Sequence, residues 1–255
     1  MGEPAANEGP PRRLRRRLAK RVVLTLLSSA AVWLALILHP QPLFAYSAQR
    51  ANVVLYTRAP MPPQAGPLLD EVVRRISRSP LYDARRTHHV FLCDSRALFG
   101  FLTVTGYRAG GVAHAELGGN VFIRPFSIER GTVTGPGGQE KTGERTLTYF
   151  ITHEVTHAMT ADRTGRWRYR QLSAFQVEGY ADYVGFGRPL DLAREREALI
   201  ADAPEMSTRR SGLYKRYELL VAYLLERRGL SVDDLLAHRL EQREIEGQLL
   251  SDTRI

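Results

Sequence analysis

The sequence predicts an α+β domain behind one N-terminal apolar helix. Three observations lead there. A basic segment runs straight into an uncharged apolar stretch at residues 22–38. Short β-branched and aromatic runs bounded by Gly and Pro dominate the part of the chain that follows. From residue 147 onward the apolar positions recur at helical spacing instead. Strands gathered in one half and helices in the other make an α+β arrangement.

The N-terminal segment sets topology. Arg12, Arg13, Arg15, Arg16, Arg17, Lys20 and Arg21 precede the apolar run, whose 17 residues contain no charge. At about 1.5 Å per residue they nearly match a hydrocarbon core roughly 30 Å thick, and Arg21 can snorkel to its edge. The positive-inside rule makes residues 1–21 a cytoplasmic basic tail, 22–39 a transmembrane signal-anchor, and 50–255 an external domain. A cleaved signal peptide is the rival reading, with a weak small-residue site between Ala45 and Ala48. The apolar run exceeds the usual signal h-region, which favours the anchor. Arginine outnumbers lysine 33 to 3, which points to a GC-rich bacterial genome, hence to the inner membrane with the domain on the periplasmic side.

Charge and cysteine content narrow the classes further. The first 21 residues carry +5 of the net +9. A basic tail ahead of an apolar span is explained by topology and anionic lipid, so no nucleic-acid partner is expected. The single Cys93 excludes an internal disulfide framework and a cysteine-based zinc cluster. In Val90-Phe91-Leu92-Cys93 it reads as a buried strand residue. Oligomeric state is left open.

Within the domain, residues 52–58 read as a strand, Pro60 to Pro63 as a turn, and residues 68–77 as a helix. Residues 90–93 read as a second strand, with Asp94 or Ser95 capping a short helix. A strand pair is expected around Gly118 and Gly119, and residues 135–138 form a glycine-rich loop. Leu147, Phe150, Ile151, Val155 and Ala158 share a helical stripe that Gly165 closes. Ser173-Ala174-Phe175-Gln176 resembles a capping box, so a helix starts at Ser173 and runs to about Gly185. Further helices are expected at 191–201, 212–228 and 231–240. No internal repeat is visible.

The chemistry lies in His153-Glu154-Val155-Thr156-His157, an H-E-x-x-H motif followed 21 residues later by Glu178. Residues four apart stand one helical turn apart, so His153 and His157 can aim both imidazoles at one point. Zinc takes nitrogen and carboxylate ligands at about 2.0–2.2 Å and keeps one position for water in catalytic sites. Glu178 supplies a third ligand, and one zinc per chain is expected. Glu154 is placed to take a proton from that water. Asp182 follows Glu178 by one turn and suits the carboxylate that orients a ligating histidine. The competing reading is a core helix with two satisfied histidines and two acids on a solvated face.

The pairing of H-E-V-T-H with Glu178-Gly179-Tyr180-Ala181-Asp182-Tyr183 resembles the gluzincin metallopeptidases, the peptidase MA-like group related to thermolysin and the zinc aminopeptidases. The resemblance covers about residues 90–240 and implies a zincin fold. It implies that His153, His157 and Glu178 bind zinc, Glu154 is the general base, and Asp182 orients the first histidine. It also places Tyr214, with Tyr217 one turn on, where those aminopeptidases carry the tyrosine that stabilises the oxyanion. One departure stands out. The glycine-rich strand from Gly110 to Ile123 lacks the G-x-M-E-N motif that grips a free amine, so amino-terminal trimming is not implied. An edge strand there can hold an extended peptide, with His114 and Glu116 as strand residues at the cleft wall. The expectation is a membrane-anchored zinc peptidase acting on a peptide or protein, endopeptidase or exopeptidase. A silent zinc-stabilised binding domain and a zinc hydrolase of other amides or esters are the alternatives.

Overall fold

The structure is a computed structural model that describes residues 12–255 apart from 105, 107, 108, 136 and 142. The first eleven residues of the expected basic tail, and Pro136 of the expected loop, lie outside the described residues. The chain divides into two units between Pro40 and Gln41.

The first unit carries helix α1 (Arg12–Leu38), and the segment Arg16–Leu38 within it contains an 18-residue window of mean hydropathy 2.1. Val22, Val23, Leu24, Leu26, Leu27 and Val32 are all exposed. The helix is long and apolar enough to cross a membrane.

The second unit is α+β. A five-stranded sheet takes the order β1 (Tyr46–Arg50), β2 (Val53–Thr57), β3 (His88–Leu92), β5 (Val121–Ile123), β4 (Gly111–Ala113). Strands β2, β3 and β5 are parallel, whereas β1 and β4 run antiparallel on the two edges. Strand β1 starts before residue 50, ahead of the expected domain boundary. Its Tyr-Ser-Ala-Gln-Arg sequence gives no apolar strand signal, and pairing with β2 alone defines it.

The central strand β3 buries both faces, which explains its continuous apolar run. Side chains alternate. Val90 and Leu92 join Val121 and Ile123 on one face, under helix α2 (Ala65–Ile76) and helix α4 (Leu147–Thr164). Phe91 and Phe122 meet Phe44, Phe99 and Leu102 on the other. Helix α3 (Arg96–Thr103) supplies Phe99, and Ser95 is its N-cap, accepting from the Leu98 backbone N–H at 3.2 Å. Each fully buried Val, Leu or Phe contributes about 1.5–3 kcal/mol. A second, three-stranded sheet, β6 (Phe126–Ser127), β7 (Thr132–Thr134) and β8 (Glu140–Lys141), was not legible in the sequence because its strands are two or three residues long.

The other helices are α5 (Arg166–Tyr169), α6 (Ala174–Phe186), α7 (Leu192–Ile200), α8 (Thr208–Ser211), α9 (Lys215–Ala222), α10 (Val232–Ala237) and α11 (Gln242–Ser251). The expected 212–228 helix starts later, at Lys215, because Gly212 adopts φ 69° and ends α8. It continues beyond α9 as a π-helical turn at Tyr223–Arg227. The expected 231–240 helix stops at Ala237, where His238 turns extended. Helices α4, α6 and α9 pack as a layer. Gly179 makes this possible, since a Cβ there would lie 2.5 Å from the Tyr217 carbonyl oxygen.

Candidate metal centre

Helix α4 is buried almost all round, so its periodicity shows less in the folded protein than in the sequence. Its threonines survive burial because each hydroxyl folds back on the carbonyl one turn earlier. Thr152, Thr156 and Thr160 donate to the oxygens of residues 148, 152 and 156, each at 2.8 Å. Thr146 caps the start, accepting from the Tyr149 N–H at 3.2 Å. Gly165 stops it with φ 78°. Ser173 is the N-cap of α6 and forms the expected capping box with Gln176, its backbone N–H donating to Gln176 Oε1 at 3.1 Å.

These two helices bring His153, His157 and Glu178 together. The two histidine Nε2 atoms lie 3.1 Å apart, and Glu178 Oε2 is 3.3 Å from one and 3.7 Å from the other. Ligands held tetrahedrally at 2.0–2.2 Å stand roughly 3.4 Å from one another. The donor set therefore fits one metal ion, with both histidines buried and Glu178 partly so.

The second nitrogen of each ring is also held. His153 Nδ1 lies 2.8 Å from Asp182 Oδ1, and His157 Nδ1 lies 3.1 Å from the Tyr169 hydroxyl. With protons on Nδ1, both Nε2 lone pairs face the common point. Asp182 is fully buried and accepts a 2.5 Å hydrogen bond from the Tyr149 hydroxyl on the same oxygen. Arg145 Nη2 approaches its other oxygen at 3.8 Å.

Charge coupling follows this geometry. Burial disfavours the His153 cation, but the hydrogen bonds it donates to Asp182 and Glu178 outweigh this and lift its pKa to about 10. Burial likewise opposes the Glu178 carboxylate, yet His157 and His153 hold its pKa far below the carboxylate range. Glu154 is buried, and burial raises its pKa against the pull of both histidines. The Ala113 backbone N–H reaches it from edge strand β4. Gly111 lets this strand come close, as a Cβ there would lie 2.6 Å from Glu154 Cγ.

A cleft of about 400 Å³ opens here, lined by residues of β4, the two histidines, Glu154, Glu178, Tyr169 and Tyr214. Tyr214 precedes α9, and its ring stacks over His153 with centroids 6.4 Å apart and planes 9° apart. Tyr217 does not line the cleft and stacks on Tyr214 with centroids 5.8 Å apart. Burial, with Glu178 adding, raises the Tyr214 pKa to about 12, so its hydroxyl keeps its proton.

Two expectations need correction. His114 and Glu116 lie in the turn between β4 and β5, not in a strand, and neither lines the cleft. His114 Nε2 lies 2.8 Å from the Leu102 carbonyl, and Glu116 pairs with Arg170 at 2.8 Å. Conversely, Tyr149, Tyr169 and Arg145 belong to the site and were missed. Tyr149 stands one turn before His153 on its helix face, which was a usable signal. Nothing in the sequence marked Tyr169. Comparisons of the chain with protein families, with curated proteins and with solved structures find no match.

Proposed function

We propose that this chain is a membrane-anchored zinc peptidase of the gluzincin type, its zincin-like domain lying outside the cytoplasm. The observation that carries the reading is the convergence of His153, His157 and Glu178 in an open cleft with buried Glu154 alongside. Two nitrogens and one carboxylate oxygen, without cysteine, are a donor set suited to catalytic rather than structural zinc. Bound zinc would act as a Lewis acid toward a carbonyl and lower the pKa of water.

The chain's own residues supply the rest. Glu154 takes the proton from water and returns it to the leaving amine, and its raised pKa suits both roles. Tyr214, protonated and facing the cleft, donates to the developing oxyanion. Strand β4 is a sheet edge whose open side borders the cleft, and an extended peptide can pair with it. The anchor reading is supported by β1, since cleavage near Ala45 to Ala48 would cut into or beside a paired strand.

Glu154→Gln tests the reading, because it removes the base and keeps the side chain's size. The variant should bind zinc as the parent does and lose about 10²–10⁴-fold in peptide hydrolysis. A parent that cleaves no member of a mixed peptide library, with Glu154→Gln still supporting its cellular role, would replace the peptidase with a silent binding domain.

A further inference from the structure

The cleft also carries two cationic side chains, and nothing in the reaction outlined above uses their charge. Lys141, at the end of β8, and Arg145, just before α4, both line it. Lys141 Nζ sits 5.3 Å over the Phe150 ring, a cation–π contact, and among the described residues no carboxylate pairs with it. Burial lowers its pKa, with Arg145 and Arg124 adding to the effect. An ammonium held half-buried beside two guanidiniums is a costly arrangement without an anion to answer it.

Arg145 is fixed as well as charged. Its guanidinium lies 5.3 Å over the Tyr149 ring, and Nη1 donates to the Gly212 carbonyl at 3.3 Å. Its Nε is buried and meets no acceptor among the described residues. Asp182 Oδ2 faces its Nη2 at 3.8 Å, a long ion pair, while Asp182 Oδ1 serves His153 and Tyr149. The cleft's own acids, Glu154 and Glu178, are engaged at the metal end. A second cavity of about 610 Å³ shares Lys141, Arg145 and Gly212 with the cleft. Of the acids lining it, Glu140 pairs with Arg130, Glu144 with Arg188, and Asp182 with His153 and, at longer range, Arg145. Two fixed cations thus stand where one cavity passes into the other, with buried donor capacity unmet.

We propose that Lys141 and Arg145 form a carboxylate-binding subsite, so that the peptides hydrolysed carry a negative charge near the scissile bond. The charge comes from an acidic side chain or from a free C-terminus. This inference rests on the peptidase reading for its substrate class, while the subsite can be measured by binding alone.

The test uses the full chain in detergent, carrying Glu154→Gln so that peptides bind without turnover. Calorimetry compares one acetylated peptide in three forms: neutral side chains with an amidated C-terminus, the same with a free C-terminus, and the amidated form with one Gln changed to Glu. At least one carboxylate form should bind tenfold or more tighter than the neutral one, and which form does so identifies the source. Lys141→Met should remove most of that difference and Lys141→Arg should keep it, zinc content serving as the control for folding. Equal affinity for all three forms, or a preference untouched by Lys141→Met, would overturn the subsite. Hydrolysis by the parent with no charge preference would also overturn it, while leaving the peptidase standing. Charge-selective binding with no hydrolysis of any form by the parent would keep the subsite and remove the peptidase.

Discussion

Asp182 fixes His153: its Oδ1 lies 2.8 Å from His153 Nδ1 and accepts a hydrogen bond from the Tyr149 hydroxyl at 2.5 Å. One buried carboxylate oxygen thus sets the tautomer of a ring that could hold a metal ion, and is itself held by a tyrosine. Asp182→Asn should keep the fold and weaken zinc affinity by about 10–100-fold, the usual effect of losing such a partner. Competition with a chromogenic chelator measures this. Unchanged affinity would mean that the histidine is oriented by something else.

The Tyr169 contact makes the matching case for His157. Tyr169→Phe removes a hydroxyl 3.1 Å from Nδ1 and should weaken zinc binding in the same direction, by about tenfold or less, since the partner lost is neutral. The same chelator competition reads it. A variant with parental affinity would reduce Tyr169 to a wall residue.

How legible was this site? The His153, His157 and Glu178 group was, because a helix places residues four apart on one face whatever surrounds it, and because Ser173 and Gln176 announced the second helix. Asp182 followed from the same spacing. Tyr169, Arg145 and Lys141 were not legible. They reach the site from a one-turn helix, a loop and a two-residue strand, whose positions depend on tertiary contacts rather than on local pattern. The fold divides along the same line. The buried strand β3 and the capped helices could be read, whereas β1, β6, β7 and β8 carry too little apolar signal to separate them from loops.

Gly111 ties the edge strand to Glu154, the proposed base. A Cβ at this position would meet Glu154 Cγ at 2.6 Å and Ile123 Cδ1 at 2.8 Å. Gly111→Ala should therefore displace Glu154 and lower turnover by about tenfold or more, since misplacement near 1 Å costs up to about 10²-fold. Zinc content should stay at the parental level. Loss of the metal instead would place the damage in the ligand helix.

Glu218 offers a test by pH. It is buried on α9, and burial, with Asp182 adding and Arg188 and Lys215 opposing, raises its pKa to about 8. In acid both the folded and unfolded chains hold the proton, and the group has no effect on stability. As pH rises from the ordinary carboxylate range toward 8, only the unfolded chain ionises, so stability falls, by at most about 1.4 kcal/mol per pH unit. Glu218→Gln cannot ionise, so its Tm advantage over the parent should grow between pH 5 and pH 8. An advantage that is flat with pH would show that Glu218 is ionised in the folded protein.

The most direct test of the account is metal analysis of the purified full chain beside His153→Ala and Glu178→Ala. The account predicts one zinc per parent chain, and loss of most of it in both variants while their helical content is retained. Full zinc in both variants would contradict the assignment of His153, His157 and Glu178 as the metal centre.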